Sequence, residues 1–115
     1  MASNFFLVHH TFKPGMAEKW WDNMNNYDEA KQKTHLENQN KAGVYCHTFM
    51  PTAKEGPMYC IWEAKEGVSD SDLQKFVDGP DAIGVHMGLD QPLNNHCQKI
   101  NHDLIGGDGP YPRRF

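Results

Sequence analysis

Val44–Ala64 reads VYCHTFMPTAKEGPMYCIWEA, two short runs rich in branched and aromatic residues on either side of Pro51-Thr-Ala-Lys-Glu-Gly56. Runs of this length and composition suit strands better than helices, and a connector holding Pro, Lys, Glu and Gly has hairpin character. The sequence therefore predicts an antiparallel pair, 44–50 with 58–64. Moving outward, Asn4–Lys13 (NFFLVHHTFK) is a third strand-like run, ended by Pro14-Gly15. From Met16 the period changes, with Ala17, Trp20, Trp21, Met24 and Tyr27 recurring at helical spacing, so a helix starts near Pro14. Its polar second half, Asp28 to Asn40, runs past the core edge before Gly43 stops it.

On the other side, Ser69-Asp70-Ser71-Asp72 fits a capping pattern ahead of Leu73, Phe76 and Val77, and Gly79-Pro80 breaks the helix it opens. Asp81 to Leu93 reads as a short helical turn and a loop, and Asn95–Leu104 (NHCQKINHDL) as the last strand. The predicted fold is α+β, a ferredoxin-like βαββαβ domain over residues 1–105 with an irregular tail over 106–115. Such a unit carries a four-stranded antiparallel sheet with two helices on one face. Its other face bears too much apolar surface for water, so a homodimer packed sheet against sheet is expected.

With 115 residues there is room for one core. The formal charge of -4, with 11 Lys and Arg scattered along the chain, supplies no basic field for phosphates, which argues against nucleic acid as a partner. No stretch approaches the roughly 20 apolar residues that span a bilayer, and Met1-Ala2-Ser3-Asn4 is not a basic leader. A cytoplasmic protein without a membrane partner is expected. Cys46, Cys60 and Cys97 are odd in number and lie in apolar runs without C-x-x-C spacing, so they read as buried thiols.

The arrangement of FLVHHTFKPGM and GPMYCIWEA resembles the dimeric α+β barrel proteins of the ferredoxin-like superfamily over nearly the whole chain. The first-strand His before a Gly-Met helix start, with Tyr59-Cys60-Ile61-Trp62-Glu63-Ala64, looks like a small ferredoxin-like family with nickel-binding members. The chain differs from that family in a longer polar first helix and a Gly-rich tail. The wider superfamily includes small monooxygenases, polyketide cyclases and haem-degrading enzymes, so fold alone does not decide activity. In related folds the segment after the second helix closes over the pocket mouth, which makes His86 a ligand or acid/base candidate from outside the sheet.

Seven histidines point to chemistry, because neutral imidazoles with a carboxylate suit Ni, Zn, Cu or Fe as a divalent transition metal. Side chains alternate along a strand, so His9 and His10 point to opposite faces. His10 shares the more apolar face with Phe6, Val8 and Phe12 and is expected to look toward the helices. His47 shares a face with Tyr45 and Phe49, and Glu63 with Tyr59 and Ile61; hairpin register decides whether they meet. The expected metal set is His10, His47, Glu63 and His86. Glu63 and His86 are the expected catalytic pair, Glu63 as a general base whose apolar run predicts burial and a raised pKa.

Against this stands the plain reading of each histidine as a surface or hydrogen-bonded residue, most strongly for His35 on the polar helix. His96 and His102 form a reserve pair on the last strand. Trp20 or Trp21 reads as core packing, and Trp62 is open between core and ligand stacking. The second functional expectation is a cofactor-independent enzyme, of monooxygenase or polyketide-cyclase type, acting on a small aromatic substrate through His or Glu. A closed pocket with one or two polar groups and no convergent His nitrogens would favour it. A structural or regulatory binding module is the third.

Overall fold

The computed structural model describes residues 2–83, 85, 88–107 and 109–115. In chain order the elements are β1 (Asn4–Phe12), α1 (Ala17–Met24), α2 (Glu29–Ala42), β2 (Val44–Pro51), β3 (Met58–Ala64), α3 (Asp70–Asp78), β4 (Leu93–Lys99) and a 3-10 turn at His102–Ile105. Among the described residues the fold is α+β, with three α-helices and one four-stranded antiparallel sheet in the order β2-β3-β1-β4.

Register assigns every strand residue to a face. Phe6, Val8 and His10 of β1 lie opposite Trp62, Cys60 and Met58 of β3 and opposite Lys99, Cys97 and Asn95 of β4. On this inner face the core joins Phe6, Val8, Val44, Cys60 and Trp62 to Leu73, Phe76 and Val77 of α3. A second cluster joins Met58 and Leu93 to Trp20 of α1. Leu73 is fully buried, and its burial contributes roughly 1.5–3 kcal/mol. The Ser69–Asp72 capping box starts α3 as predicted, its hydroxyl accepting from Asp72 N while the Asp72 carboxylate accepts from Ser69 N.

The outer face carries Phe5, Leu7 and His9 of β1 opposite Glu63, Ile61 and Tyr59 of β3. A bulge between Cys46 and Thr48 inserts His47 into β2, so His47 and Thr48 both reach the outer face while Cys46 and Phe49 serve the inner one. The expected partnership of His47 with Phe49 on one face is therefore broken by one extra residue.

Two expected elements differ. The long first helix is two helices, because Asp28 accepts from Lys31 N at 2.9 Å and caps a new helix after the polar Asn25-Asn26 break. Gly43 ends α2 with φ of 75°, a left-handed cap that disfavours any side chain, and its carbonyl accepts from Lys65 N. The last strand stops at Lys99 rather than Leu104: Asn101 accepts from Asp103 N and caps the 3-10 turn, which takes His102 off the strand. In the segment 81–92, expected as a short helical turn and a loop, the described residues form turns and a bend followed by irregular chain.

The tail is not loose. Residues 109–115 fold back across the outer face, where Tyr111 stacks on His47 at 4.7 Å, Arg113 lies over Phe5 and Arg114 lies over Tyr45. Gly109 is where this strap approaches most closely, since a Cβ there would stand 2.1 Å from Phe5 Cε2.

Candidate functional site

Between the inner sheet face and the helices lies a cavity of about 150 Å³. Aromatic and aliphatic side chains form most of its wall, with Trp20, Phe49, Met58, Trp62 and Phe76 prominent. Its polar groups are few. Among the described lining residues none is Asp, Glu, Lys or Arg.

His10 is the buried imidazole that β1 presents to this cavity, and its Nδ1 is 2.5 Å from Asn95 Oδ1 on β4. Asn95 is itself fixed from α3: its Nδ2 donates to Val77 O at 3.1 Å and to Asp78 Oδ1 at 3.0 Å. With the amide nitrogen spent on two acceptors, Oδ1 must be the atom facing His10, so Nδ1 carries the imidazole proton and Nε2 keeps its lone pair. Gln74 braces both partners by donating to Asp78 Oδ2 and to Asn95 O, each at 2.8 Å. Burial lowers the His10 pKa below 6.5 against the raising effect of the Asn95 hydrogen bond and of Asp78, while His9 lowers it further. A neutral imidazole with a fixed tautomer is a base ready to accept a proton at neutral pH.

His35 enters the same cavity from α2 in its buried form. Gln39 Oε1 accepts from Cys46 N at 3.3 Å, which leaves Gln39 Nε2 to donate to His35 Nε2 at 2.8 Å. The polar helix residue is thus a hydrogen-bonded core histidine. Cys46 and Cys60 also line the cavity side by side, and the hydrogen bond between them lowers the Cys46 thiol while raising that of Cys60.

Glu63 belongs to the other face. Fully buried, its carboxylate accepts from Ser3 Oγ at 2.6 Å, from His47 Nε2 at 2.7 Å, from Arg114 N at 2.9 Å and from Phe115 N at 3.1 Å. Burial pushes this carboxyl up, but the hydrogen bonds of Ser3, His47 and the two backbone amides outweigh it and hold the pKa below 4.5. The expected upward shift is reversed. A carboxylate whose oxygens are taken by four donor groups and roofed by the tail is an anchor, not a general base.

The expected set is accordingly divided. His47 and Glu63 meet; His10 lies on the opposite side of the sheet; His86 lies outside the described residues. Among the described residues no group of three or more His, Cys, Asp and Glu is placed to hold a metal ion. The reserve pair is split too, His96 standing exposed opposite His9 while Arg113 Nη2 meets His102 Nδ1 at 3.1 Å beside Phe5. Asn95 and Asp78, which orient His10, escaped the sequence reading. Asn95 falls in phase with Leu93 and Cys97 on the inward face of a strand, a polar residue at a core position and so a signal that was present.

Residues 5–108 match the family described as Domain of unknown function (DUF8652). The chain belongs to this family. The matched span of the DUF8652 domain includes His10, Asn95 and Asp78, and stops short of the strap residues 109–115. No curated protein and no solved structure matches this DUF8652 chain.

Proposed function

We propose that this protein binds a small, uncharged ring compound in the cavity between sheet and helices and transfers a proton at it through His10. One observation carries the reading: a buried imidazole, its tautomer set through Asn95 by Asp78 and its pKa lowered by burial, lines a cavity whose wall is mostly apolar. A base held by an orienting third group is the arrangement proton transfer needs. The absence of charged side chains among the described lining residues favours a neutral ligand.

The strand order β2-β3-β1-β4, with helices between β1 and β2 and between β3 and β4, supports a ferredoxin-like architecture and thereby the likeness to small dimeric α+β barrel enzymes. The outer face beyond the strap, where Leu7 and Met50 are exposed, supports self-association, which sedimentation of the full chain tests.

The function is tested by titrating the protein with naphthalene- and indane-sized compounds while following the His10 ring nitrogens by NMR. Saturable shifts at His10, lost on competition, are expected. Shifts confined to other residues, or none with any compound, remove the reading. Stoichiometric uptake of nickel, zinc, copper or iron by untagged protein favours the metal-binding alternative instead.

A further inference from the structure

The segment 109–115 is held as a bound peptide would be, by a site that the rest of the chain builds without it. Glu63 accepts from two consecutive backbone amides, Arg114 N at 2.9 Å and Phe115 N at 3.1 Å. The Tyr111 ring stacks on His47 at 4.7 Å, and its hydroxyl meets Thr48 Oγ1. Both guanidinium groups lie over rings, Arg113 5.8 Å from the Phe5 centroid and Arg114 4.0 Å from that of Tyr45. Each of these receiving groups sits on β1, β2 or β3, so the site is the same whichever copy of the chain supplies the segment.

What joins the segment to the body is short and rich in glycine. Gly106 and Gly107 turn the chain with φ of 91° and 90°, and Gly107 N donates to His102 O at 2.8 Å. Straightened, the four steps from Ile105 to Gly109 reach about 13 Å, more than the roughly 10 Å between two sheets packed face to face. Just before this hinge Leu104 is 82 % exposed and Ile105 54 %. On the outer face Leu7 stands exposed in the same cross-strand row as Thr48, and Met50 is exposed two residues further along β2. Apolar side chains in water at the hinge and beside the strap mark where a second body would sit.

Resting on the self-association proposed above, we infer that residues 109–115 dock on the outer face of a second copy, the two copies exchanging straps about a two-fold axis. Reciprocity follows from Glu63: a body that gave its strap away and received none would leave this buried carboxylate short of two donors. Folded back or exchanged, the strap makes the same contacts. The two arrangements differ in the hinge, turned in one and straight in the other, and in the cover over the exposed apolar side chains. Protein concentration therefore sets the balance between them.

The test uses the full chain at rising concentration. Sedimentation should show a dimer. In an equimolar mixture of isotope-labelled and unlabelled chains, unfolded in urea and refolded together, NOEs should link the Tyr111 ring of one copy to the His47 ring of the other. The hinge gives a second measurement, because positive φ disfavours L side chains while a Cβ at Gly106 or Gly107 meets open space. Gly106→Ala combined with Gly107→Ala should thus disfavour the turned hinge and tighten the dimer about tenfold. A dimer whose Tyr111–His47 NOEs all lie within one copy overturns the exchange and leaves self-association standing. A dimer unchanged or loosened by the two alanines overturns the exchange as well. A monomer at every concentration overturns both.

Discussion

His47 Nε2 lies 2.7 Å from Glu63 Oε1 on the sheet face opposite His10, so the pairing that unites these two residues also removes them from the cavity. Because the carboxylate only accepts, His47 Nε2 carries a proton, whereas at His10 it is Nδ1 that donates. Two histidines of one sheet thus have opposite assignments. Glu63 anchors the C-terminal strap, and His10 serves the cavity.

Replacing Asn95 by Leu should release the His10 tautomer. The buried Nδ1–H would lose its acceptor, costing about 1–3 kcal/mol, and Asp78 would lose its Asn95 donor. Nitrogen NMR of the ring at pH 7 should change from one tautomer to a mixture. Retention of a single Nδ1–H form in Asn95→Leu would refute the proposed role of Asn95.

Glu63→Gln should undock the strap, because an amide nitrogen would face backbone N–H donors and leave buried groups unpaired at about 1–3 kcal/mol. Gly109→Ala should do the same by a different route, since its Cβ has no room beside Phe5. Both variants should show faster proteolysis after residue 108 and weaker protection of the Arg114 amide. In a chain shortened to residue 108 the Glu63→Gln penalty should shrink, and the difference in a double-mutant cycle measures the coupling.

Acid should weaken the fold in two stages. The His10 pKa lies below 6.5 in the folded protein, so as pH falls from 6.5 the unfolded chain takes up that proton first and stability declines toward the folded value. Glu63 lies below 4.5, so its contribution is complete above 4.5 and is lost as pH falls through the folded value. Urea midpoints measured against pH should show both stages in the wild type. His10→Gln should abolish the upper stage and Glu63→Gln the lower; persistence of both stages in either variant would contradict these assignments.

The three thiols should react in a set order. Hydrogen bonding from Cys60 lowers the Cys46 pKa, burial and nearby Asp78 and Asp70 push Cys97 up to about 12, and hydrogen bonding with Cys46, together with burial, raises Cys60. Thiolate is the reactive form, so iodoacetamide at neutral pH should label Cys46 first, followed in mass spectra by Cys97. Occupation of the cavity by a small ring compound should slow the Cys46 step, because that thiol lines it.

Much of the architecture was legible because it rests on local patterns. The β2-β3 hairpin, the Ser69 cap, the Gly43 stop and the inward direction of His10 follow from alternation, turn chemistry and capping, each set within a few residues. The divided first helix was less so, since Asn25-Asn26 and Asp28 break a helix only when their side chains find backbone partners. His35 read as a surface or hydrogen-bonded residue, and only the fold chose between the two: Gln39 Oε1 accepts from Cys46 N and Gln39 Nε2 donates to the buried His35 ring. The strap was read as an irregular tail; its Gly, Pro and Arg composition carries no period, and its order comes from Glu63, 51 positions upstream of Arg114.

By itself the sequence determined an α+β domain with one core, strand faces that separate His9 from His10, and a surplus of imidazoles, all consequences of short-range periodicity. Only the tertiary structure decided which imidazole does what. A single-residue bulge sent His47 to Glu63, and pairing of β1 with β4 brought Asn95 to His10 across 85 positions. Long-range register and one inserted residue choose the partners of a side chain, and neither is written in the residues that they join.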